Sequence, residues 1–133
     1  MDSIERIRPR GLVQSPAFSH VAVVPPGATT IYVGGQNAVD ADGVLIGDGD
    51  VAAQAVRALQ NVRTALAAGG ATIADVVHWT VLFVDRVDIS AGYQAIAPDL
   101  ATEQPGLVTA AKVAGLAVPG ALVEIAAVAA LLP

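Results

Sequence analysis

Gln104-Pro-Gly-Leu-Val-Thr-Ala-Ala-Lys-Val-Ala-Gly-Leu-Ala-Val-Pro-Gly-Ala-Leu-Val-Glu-Ile-Ala-Ala-Val-Ala129 is the stretch whose reading decides the fold. Its apolar density resembles that of a membrane span, yet a spanning helix needs about 20 largely uncharged apolar residues in succession. Lys112, Glu124 and the Val118-Pro119-Gly120 turn interrupt any such run. Two short apolar runs bounded by a Pro-Gly turn instead predict a pair of buried strands. Glu124 lies in the second run, on one strand face with Leu122, Ala126 and Val128, so no neighbour on its own strand pairs with it. Burying a carboxylate is costly unless it is hydrogen-bonded, paired or neutral. That cost makes Glu124 the first candidate for chemistry. The plainer alternative is a structural glutamate bonded to backbone or bridging two subunits.

Composition narrows the rest. A chain of 133 residues is long enough for one domain with a proper core, expected to span residues 1–133. It is 54% hydrophobic and only 14% charged, which leaves little polar surface to cover a monomer. A large apolar interface between identical subunits accounts for the surplus. A net charge of −5 without any basic run speaks against nucleic acid as a partner. Cysteine is absent, which removes disulfides, thiol nucleophiles and zinc-thiolate sites. The opening residues lack the basic and apolar regions of a secretion signal, so the expected location is the cytoplasm, with no membrane partner.

Working outward from the closing stretch, residues 1–17 read as a lead-in arm. His20–Val24 and Thr30–Val33 are strand-like, joined by a turn at Pro25-Pro-Gly-Ala28. Gly34 and Gly35 end the second strand with two residues free to adopt positive φ, and a simple bend or bulge there is the plainer alternative. Asp40-Ala-Asp-Gly43 is a turn before the short apolar piece Val44–Ile46. Asp50 is placed to cap a helix in which Ala55, Leu59, Val62 and Leu66 share a face while Gln54, Arg57 and Arg63 fall elsewhere. Gly69-Gly70 closes it. Val76–Val84 is a strand with Val77, Trp79, Val81 and Phe83 on one face. A second helix runs from after Asp88 toward Ala101, and Gly92 and Pro98 predict that it is short or kinked. The order of elements predicts an α+β sandwich, a sheet with helices on one face.

Val118–Ala129 is similar to the closing signature of the Rid family, the reactive intermediate deaminases also called YjgF. Tyr32-Val-Gly-Gly-Gln-Asn37 resembles that family's strand and turn around a Gly-Gln pair. Ala74–Asp85 resembles its central strand and Ala55–Val62 its first helix, so the likeness spans nearly the whole chain in order. The resemblance implies a chorismate-mutase-like fold, a mixed sheet with two helices on one face, assembled as a homotrimer with active sites in clefts between subunits. It implies that Glu124 positions a water for attack on an imine carbon, and that Gly35 and Gln36 line the cleft with Phe18, Val108 and Ala110. The family's deaminases grip a substrate carboxylate with an arginine three residues beyond the proline matching Pro105; here that position is Val108. Gly34 stands where the family often has serine, and Phe18 where many deaminases have tyrosine, with His20 the alternative polar residue nearby. A valine offers nothing like the paired hydrogen bonds of a guanidinium. Lys112 lies four residues along, roughly 13 Å of rise, beyond the reach of its stem. Arg57 or Arg86 of another subunit is left as an alternative cation.

Other candidates are weaker. His78 sits on the opposite strand face from Trp79 and reads as a surface or hydrogen-bonded residue, and Trp79 as core. The two histidines, far apart in sequence, make a poor metal site. The aspartates around Gly43 lack the spacing of a calcium loop. No phosphate loop, dinucleotide fingerprint or Ser-His-Asp arrangement occurs, and neither a cofactor nor a metal is expected. The expected function is binding, and hydrolysis, of a small neutral imine, enamine or carbonyl compound around Glu124. The alternatives are a non-catalytic small-molecule-binding or interaction protein of the same fold and, least favoured by the charge, a ribonuclease.

Overall fold

The computed structural model describes residues 3–133. Its centre is a four-stranded sheet in the order β3-β6-β4-β5, formed by β3 (Thr29–Gln36), β4 (Val76–Val84), β5 (Leu107–Val113) and β6 (Val123–Leu131). β6 pairs antiparallel with both β3 and β4, while β4 and β5 run parallel, so the sheet is mixed. Parallel neighbours need a long crossover. Helix α2 (Ile89–Leu100) supplies it, and it packs beside α1 (Val51–Ala68) on one sheet face. The α+β expectation with two helices on one face of a mixed sheet therefore holds. Among the described residues no helix is long and apolar enough to cross a membrane.

Alternation along the central strands explains the layering. Trp79, Val81 and Phe83 of β4 and Val123, Ile125 and Ala127 of β6 point to the helices and are almost fully buried. They meet Ala55, Leu59, Val62 and Leu66 of α1 and Ile96 and Leu100 of α2 in one cluster. Each large side chain buried there contributes about 1.5–3 kcal/mol. The Asp50 carboxylate accepts from Ala53 N–H at 3.0 Å, capping α1 as the sequence implied. At the other end Gly70, at φ 84°, turns the chain away from the helix.

Four expectations need correction. The lead-in arm contains a strand: β1 (Glu5–Ile7) pairs antiparallel with β2 (Val21–Val23) in a small separate sheet. Met1 and Asp2 of that arm lie outside the described residues. Arg6 ties this sheet to the main one by donating to Ala74 O at 3.2 Å and Val76 O at 3.1 Å, contacts between distant residues that no local pattern reveals. Second, Gln54 is wholly buried rather than turned away from the core. It donates to Gly47 O and Gly120 O and accepts from Leu122 N–H, pinning the Pro119-Gly120 turn to α1. Third, α2 is unbroken over 12 residues. A β-carbon on Gly92 would stand 2.6 Å from Phe83 Cε1, so that glycine answers to packing. Fourth, β5 is an edge strand largely open to solvent in the single chain, whereas β6 is buried as expected.

Candidate functional site

The sheet face away from the helices is uncovered along most of its length. Cα register assigns its residues: Tyr32 on β3; Glu124, Ala126 and Val128 on β6; His78, Thr80 and Leu82 on β4; Leu107, Thr109 and Ala111 on β5. In the single chain Glu124, Ala126, Val128, His78, Thr80 and Leu82 are all half-buried, and Tyr32 is 80% exposed. Glu124 therefore shares its face with Ala126 and Val128, as the alternation predicted.

Gly35 and Glu124 meet directly. Between Val33 and Gln36 the register of β3 against β6 shifts, so β3 carries one extra residue opposite β6. The resulting bulge lays Gly35 under the carboxylate: a β-carbon built on Gly35 would stand 2.5 Å from Glu124 Oε2 and 2.6 Å from its Cδ. Neither Gly34 nor Gly35 is among the glycines with positive φ, so the positive-φ expectation fails while the alternative of a bulge holds. A side chain at 35 would have to displace the carboxylate from the space it occupies. Among the described residues no side chain donates a hydrogen bond to that carboxylate, and no Lys or Arg lies on this face of the four strands.

The remaining candidates are distributed elsewhere. Gln36 is in register with buried Ile125, on the helix side, and its amide donates to Gly34 O at 3.2 Å. Val108 and Ala110 are in register with Trp79 and Val81 on the helix side as well, and Val108 packs against the core. They stand on the face opposite Glu124, because a strand turns successive side chains to opposite sides. Lys112, in register with Phe83, shares that wrong face. The β5 residues that do share Glu124's face are Leu107 and Thr109, one place to either side of Val108, and Ala111, which is in register with Leu82, the β4 partner of Glu124. The sequence offers Leu107 as a residue able to fill the cleft, but does not single out Thr109. The signal was the alternation of β5 read from its pairing with Trp79, which is visible only once the register is known.

Phe18 is half-buried with its ring edge-on to His20, centroids 5.4 Å apart. Its neighbour Ser19 is buried, donating its hydroxyl to Pro105 O at 2.8 Å and its N–H to Gly106 O at 3.2 Å. The segment is thus tied to the residue preceding Leu107. At that end of the face His78 Nε2 and Thr109 Oγ1 share a 2.8 Å hydrogen bond, in keeping with the bonded role expected of His78. Glu124 is in register with Leu82, and Leu107 with His78. Four residues of β4 therefore separate the two rows, roughly 13 Å.

Comparison with known proteins gives a consistent picture. The family model described as Endoribonuclease L-PSP matches residues 12–131. A crystal structure of YyfB from Yersinia pestis, a protein of unknown function in the conserved Rid family, superposes with a TM-score of 0.84 at 31% identity, covering 98% of this chain and 100% of that one. The YjgF gene product of E. coli superposes with a TM-score of 0.66 at 28% identity, covering 80% and 83%. Rv2704 from Mycobacterium tuberculosis, of the YjgF/YER057c/UK114 family, gives 0.63 at 28%, covering 96% and 98%. No curated protein sequence matches the chain significantly.

Proposed function

The chain belongs to the Rid (YjgF) family, and on that premise we propose that it binds and hydrolyses a small neutral imine, enamine or carbonyl compound in a cleft centred on Glu124. One observation carries the reading: a single carboxylate seated on a glycine, with no Lys or Arg on the strand face around it. Electrostatics then selects the substrate class. A ligand bearing its own carboxylate meets a like charge and no guanidinium to pair with. A neutral ligand meets neither penalty.

In the proposed reaction Glu124 accepts a proton from a water whose oxygen attacks the imine carbon. The adduct takes that proton on nitrogen to give the carbinolamine, whose hydroxyl proton then passes to nitrogen by way of Glu124 as ammonia leaves and the carbonyl forms. One imine and one water give one carbonyl and one ammonia. A second copy of the chain completes the cleft, because Glu124 and Gly35 lie at one end of the open face and Leu107, Thr109 and the Phe18 segment at the other. The apolar surplus of the sequence supports a homotrimer built on this face.

The test compares two substrates that differ only in charge, 2-iminopropanoate and its neutral amide 2-iminopropanamide, each generated in situ. Wild type is expected to hydrolyse the amide and spare the acid. Glu124→Gln loses about 100-fold or more, and Leu107→Arg shifts preference toward the acid. A wild type that prefers the acid overturns the charge argument. Absence of turnover on both substrates by a folded oligomer favours the rival, a non-catalytic small-molecule-binding protein of the same fold. The observation on that side is the missing donor to Glu124, since a catalytic carboxylate is commonly oriented by one. The name of the matching family model suggests ribonuclease chemistry. A chain of net charge −5 without any basic run in its sequence is poorly suited to that.

A further inference from the structure

A second groove lies on the helix side of the molecule, between the end of β3, the loop after it and α1. It encloses about 460 Å³ and is lined by Gln36, Val39, Asp40, Arg57, Asn61 and Ala65 among others. Its walls carry opposite charges that do not pair. Among the described residues the only ion pair is Arg63 with Asp99, so Arg57 and Asp40 face the groove without neutralising each other. Opposite charges at a partly exposed groove gain little by pairing, and here the hydrogen bonds around them set where each is held.

The side chain of Asn61 is central to that arrangement. Its amide nitrogen donates to Asn37 O and Val39 O, both at 2.9 Å, fixing the loop that carries Asp40. Its amide oxygen accepts from Arg57 Nε at 3.2 Å, fixing the guanidinium and leaving both terminal nitrogens unused. Asp40 is set in the same manner: Oδ1 accepts from the N–H groups of Asp42 and Val44, each at 2.9 Å, which leaves Oδ2 free. Gln36 spends its amide nitrogen on Gly34 O and keeps its oxygen as an acceptor. One wall thus offers two parallel donors with positive charge, the other two acceptors with negative charge, and Val39 and Ala65 supply an apolar surface between them.

We propose that this groove binds a small zwitterion of the α-amino-acid type. Its carboxylate is held by the terminal nitrogens of Arg57, its ammonium by Asp40 Oδ2 and Gln36 Oε1, and its aliphatic side chain lies on Val39 and Ala65. The site is separate from Glu124, which stands on the opposite face of the sheet. It also gives Gln36 a role independent of the Glu124 cleft.

The experiment is an NMR titration of the ¹⁵N-labelled full-length chain with three probes: L-valine, 3-methylbutanoate, which lacks the ammonium, and 2-methylpropan-1-amine, which lacks the carboxylate. The reporters are the backbone amides of Val39 and Asp40 and the side-chain amides of Gln36 and Asn61. L-valine is expected to shift them saturably, with each single-charge probe weaker by on the order of tenfold or more. Arg57→Met weakens L-valine by a similar factor. Asp40→Asn, which keeps the oxygen that anchors the turn, abolishes the preference for L-valine over 3-methylbutanoate. Equal binding of those two probes to wild type, or L-valine shifts unchanged in Arg57→Met, overturns the proposal. So does the absence of saturable shifts up to about 50 mM, a concentration at which even very weak ligands register.

Discussion

Replacing Gly35 by alanine tests the contact on which the Glu124 site rests, and does so without any knowledge of the substrate. The new β-carbon would stand 2.5 Å from Oε2 and 2.6 Å from Cδ of Glu124. Carbon atoms settle at about 3.5 Å or more, so the carboxylate must retreat by about 1 Å. Backbone strain is not involved, because Gly35 is not among the positive-φ glycines. Alanine in place of glycine contributes about 0.5–1 kcal/mol of stability through the unfolded chain. Forcing the glutamate off its preferred rotamer costs about 0.5–1.5 kcal/mol. The two nearly cancel, and Gly35→Ala alone is expected to unfold within about 1 kcal/mol of wild type. The contact itself is exposed by a double-mutant cycle with Glu124→Ala, measured by urea denaturation. With the carboxylate removed, the alanine has nothing to displace, and the coupling should be about 0.5–1.5 kcal/mol. Coupling below about 0.3 kcal/mol would show that the glycine serves something other than the carboxylate. Where turnover is found, a 1 Å displacement of the acting group costs on the order of 100-fold.

Three further outcomes follow from the packing. Gln54→Ala strips partners from Gly47 O, Gly120 O and Leu122 N–H in a fully buried position, and should cost about 3 kcal/mol or more in urea denaturation; a loss under about 1 kcal/mol contradicts the bridging role. Gly92→Ala gains about 1 kcal/mol of helix propensity but drives a carbon to 2.6 Å from the Phe83 ring, so it should lower Tm; a raised Tm means the ring yields freely. Burial pushes the Tyr93 phenol above its usual 10.0. The folded state then holds that proton longer than the unfolded one, so its stabilisation is complete below pH 10.0 and fades as pH rises further. Thermal melts of wild type should fall more steeply than those of Tyr93→Phe across that window, and parallel curves would exclude Tyr93 as the cause.

Local order was legible in the residues themselves. α1, its Asp50 cap, the glycine turns and the face of Glu124 all follow from spacings of a few residues, because helical and strand periods and turn chemistry are written within one segment. The resemblance of Tyr32–Asn37 and Val118–Ala129 to one family identified the fold for the same reason, since each motif is contiguous. Pairing across the chain was not legible. Helical periodicity set Gln54 off the apolar face, and it is buried only because the Pro119-Gly120 turn folds back over it from 66 residues away. Val108 was placed beside Glu124 by sequence position, yet a strand's facing depends on its register with the neighbour, and a shift of one residue exchanges the two sides. Glycine at 35 reads locally as conformational, whereas its contact with Glu124 comes from a distant strand. The sequence by itself determined the main helices and strands, the fold and the strand face on which Glu124 stands. Tertiary structure alone decided which residues surround that carboxylate and which line the second groove, because those neighbours meet through strand pairing and helix docking.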